Sequence, residues 1–204
     1  MENLMTKSNT SDIGDTAICV HEINNDVISK LNSFDNNTLL TFDDGLYSQY
    51  LFRNNINNKN RIYFICPSLL CASIPSNSFI TCFDAMSNHF FNNDNSAYMT
   101  IDNIKQLIDE GYTIGAHSYY HANLKYKSKK IHKYKLSYSL LCNNNLQYAR
   151  NDTELLINWF IDNIGYVPTD YCFPFNQETK ELKILLTSYG FKHFYGHERY
   201  EVTS

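Results

Sequence analysis

The stretch Leu39-Leu-Thr-Phe-Asp-Asp-Gly45 decides the fold of this chain. Its first four residues read as a buried strand, and Asp43-Asp44-Gly45 falls where that strand ends. Two neighbouring carboxylates at a strand end repel each other unless a cation takes the charge of one and leaves the other ionised as a base. Taken singly, an Asp-Asp-Gly is most often a solvated turn. Here it has a counterpart. Behind a second apolar strand, Tyr112-Thr-Ile-Gly-Ala116, stands His117-Ser-Tyr-Tyr-His121, with its histidines four apart. That spacing suits a loop or short turn closing both imidazoles on one ion. One carboxylate and two imidazoles are a common ligand set for a catalytic zinc-type site with open positions. Either half alone has a bland reading; the two together, each capping an apolar strand, form a pattern.

Working outward, Thr16–Ile23 reads as a first strand, followed by a short helix over Val27–Leu31. A helix over Gln49–Asn58 and a strand over Arg61–Pro67 come next, the strand carrying Ile62, Phe64 and Cys66 on one side. Ser68–Tyr98 has no sustained period apart from a helix around Phe83–Phe91, and is expected as an excursion over one end of the sheet. Thr100 is a good N-cap for the helix Ile101–Asp109, whose Ile101, Ile104, Leu107 and Ile108 recur at helical spacing before Gly111 ends it. A basic stretch interleaved with tyrosines, Lys125–Lys135, follows the histidines. It reads first as a solvated face and second as a contact for an anionic, lipid-phosphate- or nucleotide-linked substrate. Helix Asp152–Asn163, strand Thr169–Phe173, helix Thr179–Tyr189 and strand Phe191–Tyr195 complete the pattern. Strands alternating with helices imply an α/β fold with a mostly parallel sheet and right-handed crossovers.

These motifs resemble the polysaccharide deacetylases, the NodB-like group of carbohydrate esterase family 4. That family carries T-F-D-D-G on its first barrel strand and H-[ST]-x-x-H downstream, joined by a helix ending in an Asp/Glu-x-G-y-x-I-G-x-H run. Met99–His117 reproduces that run, and Tyr171-Cys-Phe-Pro-Phe175 is similar to a third element, a strand ending in a Pro-aromatic pair. The resemblance spans Leu39 to Tyr195. It implies a single-domain, distorted and incomplete (β/α) barrel with the site at the C-terminal strand ends. Residue by residue, it implies Asp43 as general base and Asp44, His117 and His121 as ligands of a divalent metal, zinc first, with cobalt, nickel or iron as alternatives. It also implies that the Phe175 N–H helps hold the oxyanion and that Ser118 fixes the histidine loop. Tyr119, Tyr120 and Pro174 would lie along the substrate.

Two departures from the family pattern stand out. Many members place an Arg shortly before the Pro-aromatic pair, where it orients the base, whereas Cys172-Phe173 stand here. The late L-x-H motif that supplies a general acid has no counterpart after Phe175. One subgroup, resembling the biofilm poly-N-acetylglucosamine deacetylases, is circularly permuted and carries its acid histidine in a strand before T-F-D-D-G. Ile18-Cys-Val-His-Glu-Ile23 is similar to that element and puts His21 in the matching place, with His193 and His197 as fallbacks.

Composition sets outer bounds. At 204 residues and 43% hydrophobic content, the chain suits one well-buried domain, expected over residues 16–204 behind a flexible arm at 1–15. A net charge of −4 gives no global field toward nucleic acid or an anionic membrane. The six cysteines are scattered without a C-x-x-C pair, which fits free thiols in a reducing compartment. The first residues lack an apolar secretory core and no stretch is long enough to span a bilayer, so the expected location is cytoplasmic. The expected activity is metal-assisted removal of an N-acetyl group from an amino sugar in a glycan or glycan precursor. A silent glycan-binding relative and an amidohydrolase for another acyl group, such as a deformylase, are the alternatives.

Overall fold

The computed structural model of the protein describes residues 17–122 and 146–203. The expected arm at 1–15 and the basic stretch Lys125–Lys135 lie outside the described residues. Strands β1 (Ala17–Val20), β2 (Leu39–Phe42), β3 (Arg61–Ile65), β4 (Thr113–Ala116), β5 (Asp170–Cys172), β6 (His193–Tyr195) and β7 (Tyr200–Val202) form one sheet in the order β6-β5-β4-β3-β2-β1-β7. Every pairing is parallel. Between them run α1 (Asn25–Leu31), α2 (Tyr47–Leu51), α3 (Cys82–Asn92), α4 (Ile101–Asp109), α5 (Leu146–Ile164) and α6 (Lys180–Ser188).

The sheet has to curl. β6 and β7 are its two edges, yet only residues 196–199 separate them in the chain. Six strand spacings in a flat sheet would put those edges about 29 Å apart. The connection between Tyr195 and Tyr200 reaches at most about 19 Å. The seven strands therefore wrap into a half-barrel, and residues 196–199 cross its open side.

Curling gives the strands an inside and an outside, and alternation sorts the side chains. Ile18, Val20, Leu40, Phe42, Tyr63, Ile65, Ile114, Tyr171 and Phe173 point outward into the main core. They meet α1 through Val27 and Leu31, α4 through Ile104 and Leu107, α5 through Leu156 and Phe160, and α6 through Leu182, Leu185 and Leu186. Leu39, Ile62, Phe64, Cys172 and Tyr195 point inward and form a second, smaller cluster that floors the barrel. Burial on both faces explains why β2 and β3 have no exposed position. Gly115 belongs to this inner face: a Cβ there would lie 2.4 Å from the Phe64 ring, so only glycine lets β4 pass.

Capping follows the expected chemistry. Thr100 and Asn103 form a reciprocal capping box on α4, and Asn24, Thr81 and Thr179 accept from the first turns of α1, α3 and α6. The excursion at 68–98 lies over the C-terminal strand ends. Ser68 N–H bonds Tyr119 O at 3.0 Å, and Glu22 accepts from the Cys82 N–H at the head of α3, at 3.1 Å.

Helix α5 begins at Leu146, six residues before the expected Asp152, and two further elements differ from the sequence expectation. The helix expected over Gln49–Asn58 stops at Leu51 and gives way to a 3₁₀ turn at Arg53–Asn55. The cause is Arg61, 3% exposed, whose guanidinium takes the carbonyls of Arg53, Ile56 and Asn58. Those carbonyls are therefore not available to continue a helix. Replacing Arg61 by Leu should leave them without a donor at a cost of roughly 3 kcal/mol. The expected reading is a melting temperature about 6–12 °C lower; an unshifted transition would show that water fully replaces the guanidinium. The second difference is β7, which sequence analysis did not anticipate. Its three residues offer one buried side chain, Val202, and no period to read.

Candidate active site at the C-terminal strand ends

The inward alternation that places Leu39 and Thr41 continues to Asp43, whose carboxylate enters the barrel interior. At Asp44 the chain turns through the left-handed region (φ 72°) and Gly45 follows (φ 78°), which carries the second carboxylate over the strand end. Ser118 (φ 64°) and His121 (φ 54°) hold the same costly conformation in the loop after β4. Phe175 (φ 55°) and Asn176 (φ 53°) repeat it after β5. Non-glycine residues in this region cost about 1–3 kcal/mol each and cluster where geometry serves function.

Asp44 Oδ1 lies 3.2 Å from His117 Nε2 and 3.0 Å from His121 Nε2, and all three side chains are buried. Their protonation states decide what this triangle is. His117 Nδ1 is 3.0 Å from the carbonyl oxygen of Cys172. A carbonyl only accepts, so Nδ1 carries the hydrogen and a neutral ring turns its Nε2 lone pair toward Asp44. Burial presses the His121 pKa down, against the pull of Asp44. Two imidazole lone pairs and a carboxylate oxygen then converge on one point. Asp44 Oδ1, which both Nε2 lone pairs face, has no hydrogen-bond partner among the described residues. Such a buried set of acceptors fits a divalent cation, and the donor chemistry suits zinc. The ligand set expected from the sequence is thus brought together.

The loop is held from behind by Asp152, which sequence analysis did not identify. Its carboxylate accepts from Ser118 Oγ at 3.1 Å, from Tyr119 N at 3.0 Å and from Tyr120 N at 3.0 Å. Ser118 Oγ in turn accepts from Ala122 N at 2.9 Å. Burial pushes the Asp152 pKa up to about 6, although these donors oppose the rise. Tyr119 packs its half-buried ring on the main core, whereas Tyr120 is exposed. Pro174 is buried, and the exposed Phe175 ring meets His121 edge-on at 4.6 Å.

Asp43 has a different environment. Arg199 grips it with two parallel bonds, Nη1 to Oδ1 and Nη2 to Oδ2, both 2.8 Å. The same guanidinium reaches Thr41 Oγ1 at 2.8 Å and Cys172 Sγ at 3.1 Å. Cys19 and Cys172 thiols sit 3.4 and 3.3 Å from Asp43 Oδ2. Burial favours the protonated acid, but the Arg199 charge and hydrogen bonds outweigh it and hold Asp43 ionised far below the usual carboxylate range. Arg199 stands in the segment that crosses the open side of the half-barrel. It makes the contact to Asp43 that was expected of an Arg before the Pro-aromatic pair, where the sequence has Cys172-Phe173.

His21 completes the cavity. β1 lies beside β2, and the His21 ring comes within 4.8 Å of Cys19 Sγ and the Asp43 carboxylate. Its Nδ1 meets Glu201 Oε1 of β7 at 3.2 Å. This second cluster of donor types is a poor cation site: burial and Asp43 push the Cys19 thiol far up, and Arg199 already fills the space beside Asp43. His193 pairs with Asp170 at the start of its strand, remote from the cavity.

Among the described residues, Arg199 bonds none of Asp44, His117 and His121. Arg199→Ala should therefore keep the metal and lower turnover about 100-fold, the scale of a 1 Å misplacement of a reacting group. Turnover and metal content measured on one preparation check this; equal loss of both would make Arg199 a structural residue only.

No family model matches the sequence, and no curated protein does. Solved structures do match. The BpsB deacetylase domain from Bordetella bronchiseptica superposes with a TM-score of 0.59 at 12% identity, over 92% of this chain and 94% of that one. A de-N-acetylase from Aggregatibacter actinomycetemcomitans gives 0.56 at 11% identity, over 91% and 92%. IcaB from Ammonifex degensii gives 0.55 at 16% identity, over 92% and 91%. The chain has the fold of these deacetylases, the distorted and incomplete (β/α) barrel expected from the sequence. No described helix is long and apolar enough to cross a membrane.

Proposed function

We propose that this chain is a metal-dependent hydrolase that removes the N-acetyl group of an amino sugar within a glycan. The observation that carries the reading is the meeting, in one cavity, of a three-residue ligand set and a separate carboxylate held ionised by Arg199. The fold shared with proteins described as de-N-acetylases supports the reaction class.

A divalent ion held by Asp44, His117 and His121 would supply Lewis acidity toward the amide carbonyl and lower the pKa of a water molecule. The protein's own groups do the rest. Asp43 Oδ2 already receives Arg199 and both thiols, whereas Oδ1 receives Arg199 alone. Oδ1 therefore keeps a lone pair to accept the proton of the attacking water. The backbone N–H of Phe175 would bond the oxyanion, a type of contact worth roughly 3–4 kcal/mol. His21, charged and oriented by Glu201, donates the proton that lets the amine leave. The position of β1 beside β2 supports the circularly permuted reading of that histidine. The retained base tether speaks against a silent glycan-binding relative, because the guanidinium absent before Pro174 is supplied by Arg199.

Release of acetate from N-acetylglucosamine oligosaccharides, measured after loading with zinc and after chelation, tests the proposal. Metal-dependent release is expected. A zinc-loaded protein that binds the oligosaccharide without releasing acetate would overturn it.

A further inference from the structure

The polar side chain of Gln49 lies fully buried on α2, outside the ligand set and the proton-transfer groups described above. Its Nε2 donates to two main-chain carbonyls, His21 O and Asp43 O, both at 2.6 Å. The two hydrogens of the amide are thereby both used, and Oε1 has no partner among the described residues. The two donated bonds are the whole polar task of this residue.

The reason for them lies in the sheet. β1 and β2 are paired from Ala17↔Leu39 to Val20↔Phe42, and the last bond across them runs from Asp43 N to Val20 O at 2.9 Å. Beyond that point the strands part to make the cavity. The carbonyls of His21 and Asp43 are the first on each strand to lose the ladder, the first part-buried and the second buried, and each would otherwise lose its partner. Gln49 spans the gap with one planar amide. It sits in the first turn of a helix itself anchored at both sides, by Tyr47 N to Ala97 O at 2.8 Å and by Ile23 N to Ser48 Oγ at 3.0 Å.

We infer that Gln49 is the positioning residue that sets the distance between the two proton-transfer groups, by clasping the backbone of His21 to that of Asp43 where the sheet no longer does. The inference rests on the base and acid assignments above. Glu201 and Arg199 orient the two side chains from the C-terminal side, and Gln49 fixes the backbones from which those side chains spring. A side chain with one rigid plane and two donors suits this task.

Gln49→Met keeps the length of the side chain and removes both donors. With the zinc-loaded full chain, kcat on the N-acetyl oligosaccharide should fall about 100-fold, with KM and metal content unchanged within twofold. An aryl acetate separates positioning from loss of fold, because its phenolate leaves without an acid. Gln49→Met should lose far less on that ester than on the amide, the same pattern as His21→Ala. A crystal structure of the variant should show the His21 and Asp43 side chains further apart. Equal losses on amide and ester, an unaltered amide rate, or an unmoved pair would each overturn the inference. Full amide activity in His21→Ala would instead overturn the acid assignment. An impaired His21→Ala beside an unimpaired Gln49→Met would overturn only the role of Gln49.

Discussion

Asp43→Asn is expected to abolish turnover while the protein keeps its metal, and Asp44→Ala is expected to lose the metal itself. The two residues are neighbours in sequence and differ in their hydrogen-bond and ion-pair partners. Asp43 faces Arg199 and two thiols inside the barrel; Asp44 faces His117 and His121 over the strand end. An amide at position 43 cannot accept the proton of water, and it sets an NH2 against the donors of Arg199. Loss of a general base lowers turnover by about 10²–10⁴-fold. Removing Asp44 takes away the one charged ligand and leaves two neutral imidazoles, which should weaken metal binding by more than about 100-fold. Metal content per chain and acetate release, read on both variants, check the division of labour. Equal metal loss in the two variants would show that it is wrongly drawn.

The second large effect is that of His21, and it carries a pH signature. Burial disfavours the charged imidazole, but the Glu201 hydrogen bond and the charges of Asp44 and Asp43 outweigh burial and raise its pKa from 6.5 to about 9. An acid works in its protonated form, so activity should persist through neutral pH and fall as pH rises through that value. A cation on Asp44 cancels part of the pull, so the limb of the loaded protein is expected between 6.5 and about 9. Glu201→Gln removes the strongest upward influence and should move this alkaline limb to lower pH. His21→Ala should cost about 10²–10³-fold in turnover with metal content intact. An alkaline limb that ignores Glu201→Gln would place the acid elsewhere.

The parts of this site that could be read from sequence are those written into a strand and its end. Alternation along Leu39–Asp43 and Ala17–His21 already assigns Asp43 and His21 to the inner face, and Gly45 marks where the chain turns. The histidine pair was legible for the same reason, because Thr113–Ala116 is a buried strand that can only deliver His117 to its end. Arg199, Glu201, Asp152 and Gln49 were not. Each acts through contacts more than 25 residues away in sequence or through the main chain of another element, except for the bond from Gln49 to Asp43. Nothing in Gly196-His-Glu-Arg-Tyr-Glu-Val202 has a period, and its strand exists only because β1 offers an unpaired edge. The helix expected to run to Asn58 failed for a local reason that has no helical period: the Arg61 guanidinium, three to eight residues further on, outbid the next helical turn for its carbonyls.

The pairing of β7 with β1 joins Ile18 to Tyr200, almost the two ends of the described chain. Contacts of such long range close late in folding, because the entropy of the whole intervening loop must be lost before they form. The ligand set belongs to β2 and β4, which assemble without that closure, whereas Arg199 and Glu201 arrive with it. A refolding chain should therefore regain its core, reported by the single Trp159 on α5, and take up its ion before it regains any turnover. Between those events lies a loaded but silent species, whose lifetime is the docking time of one three-residue strand.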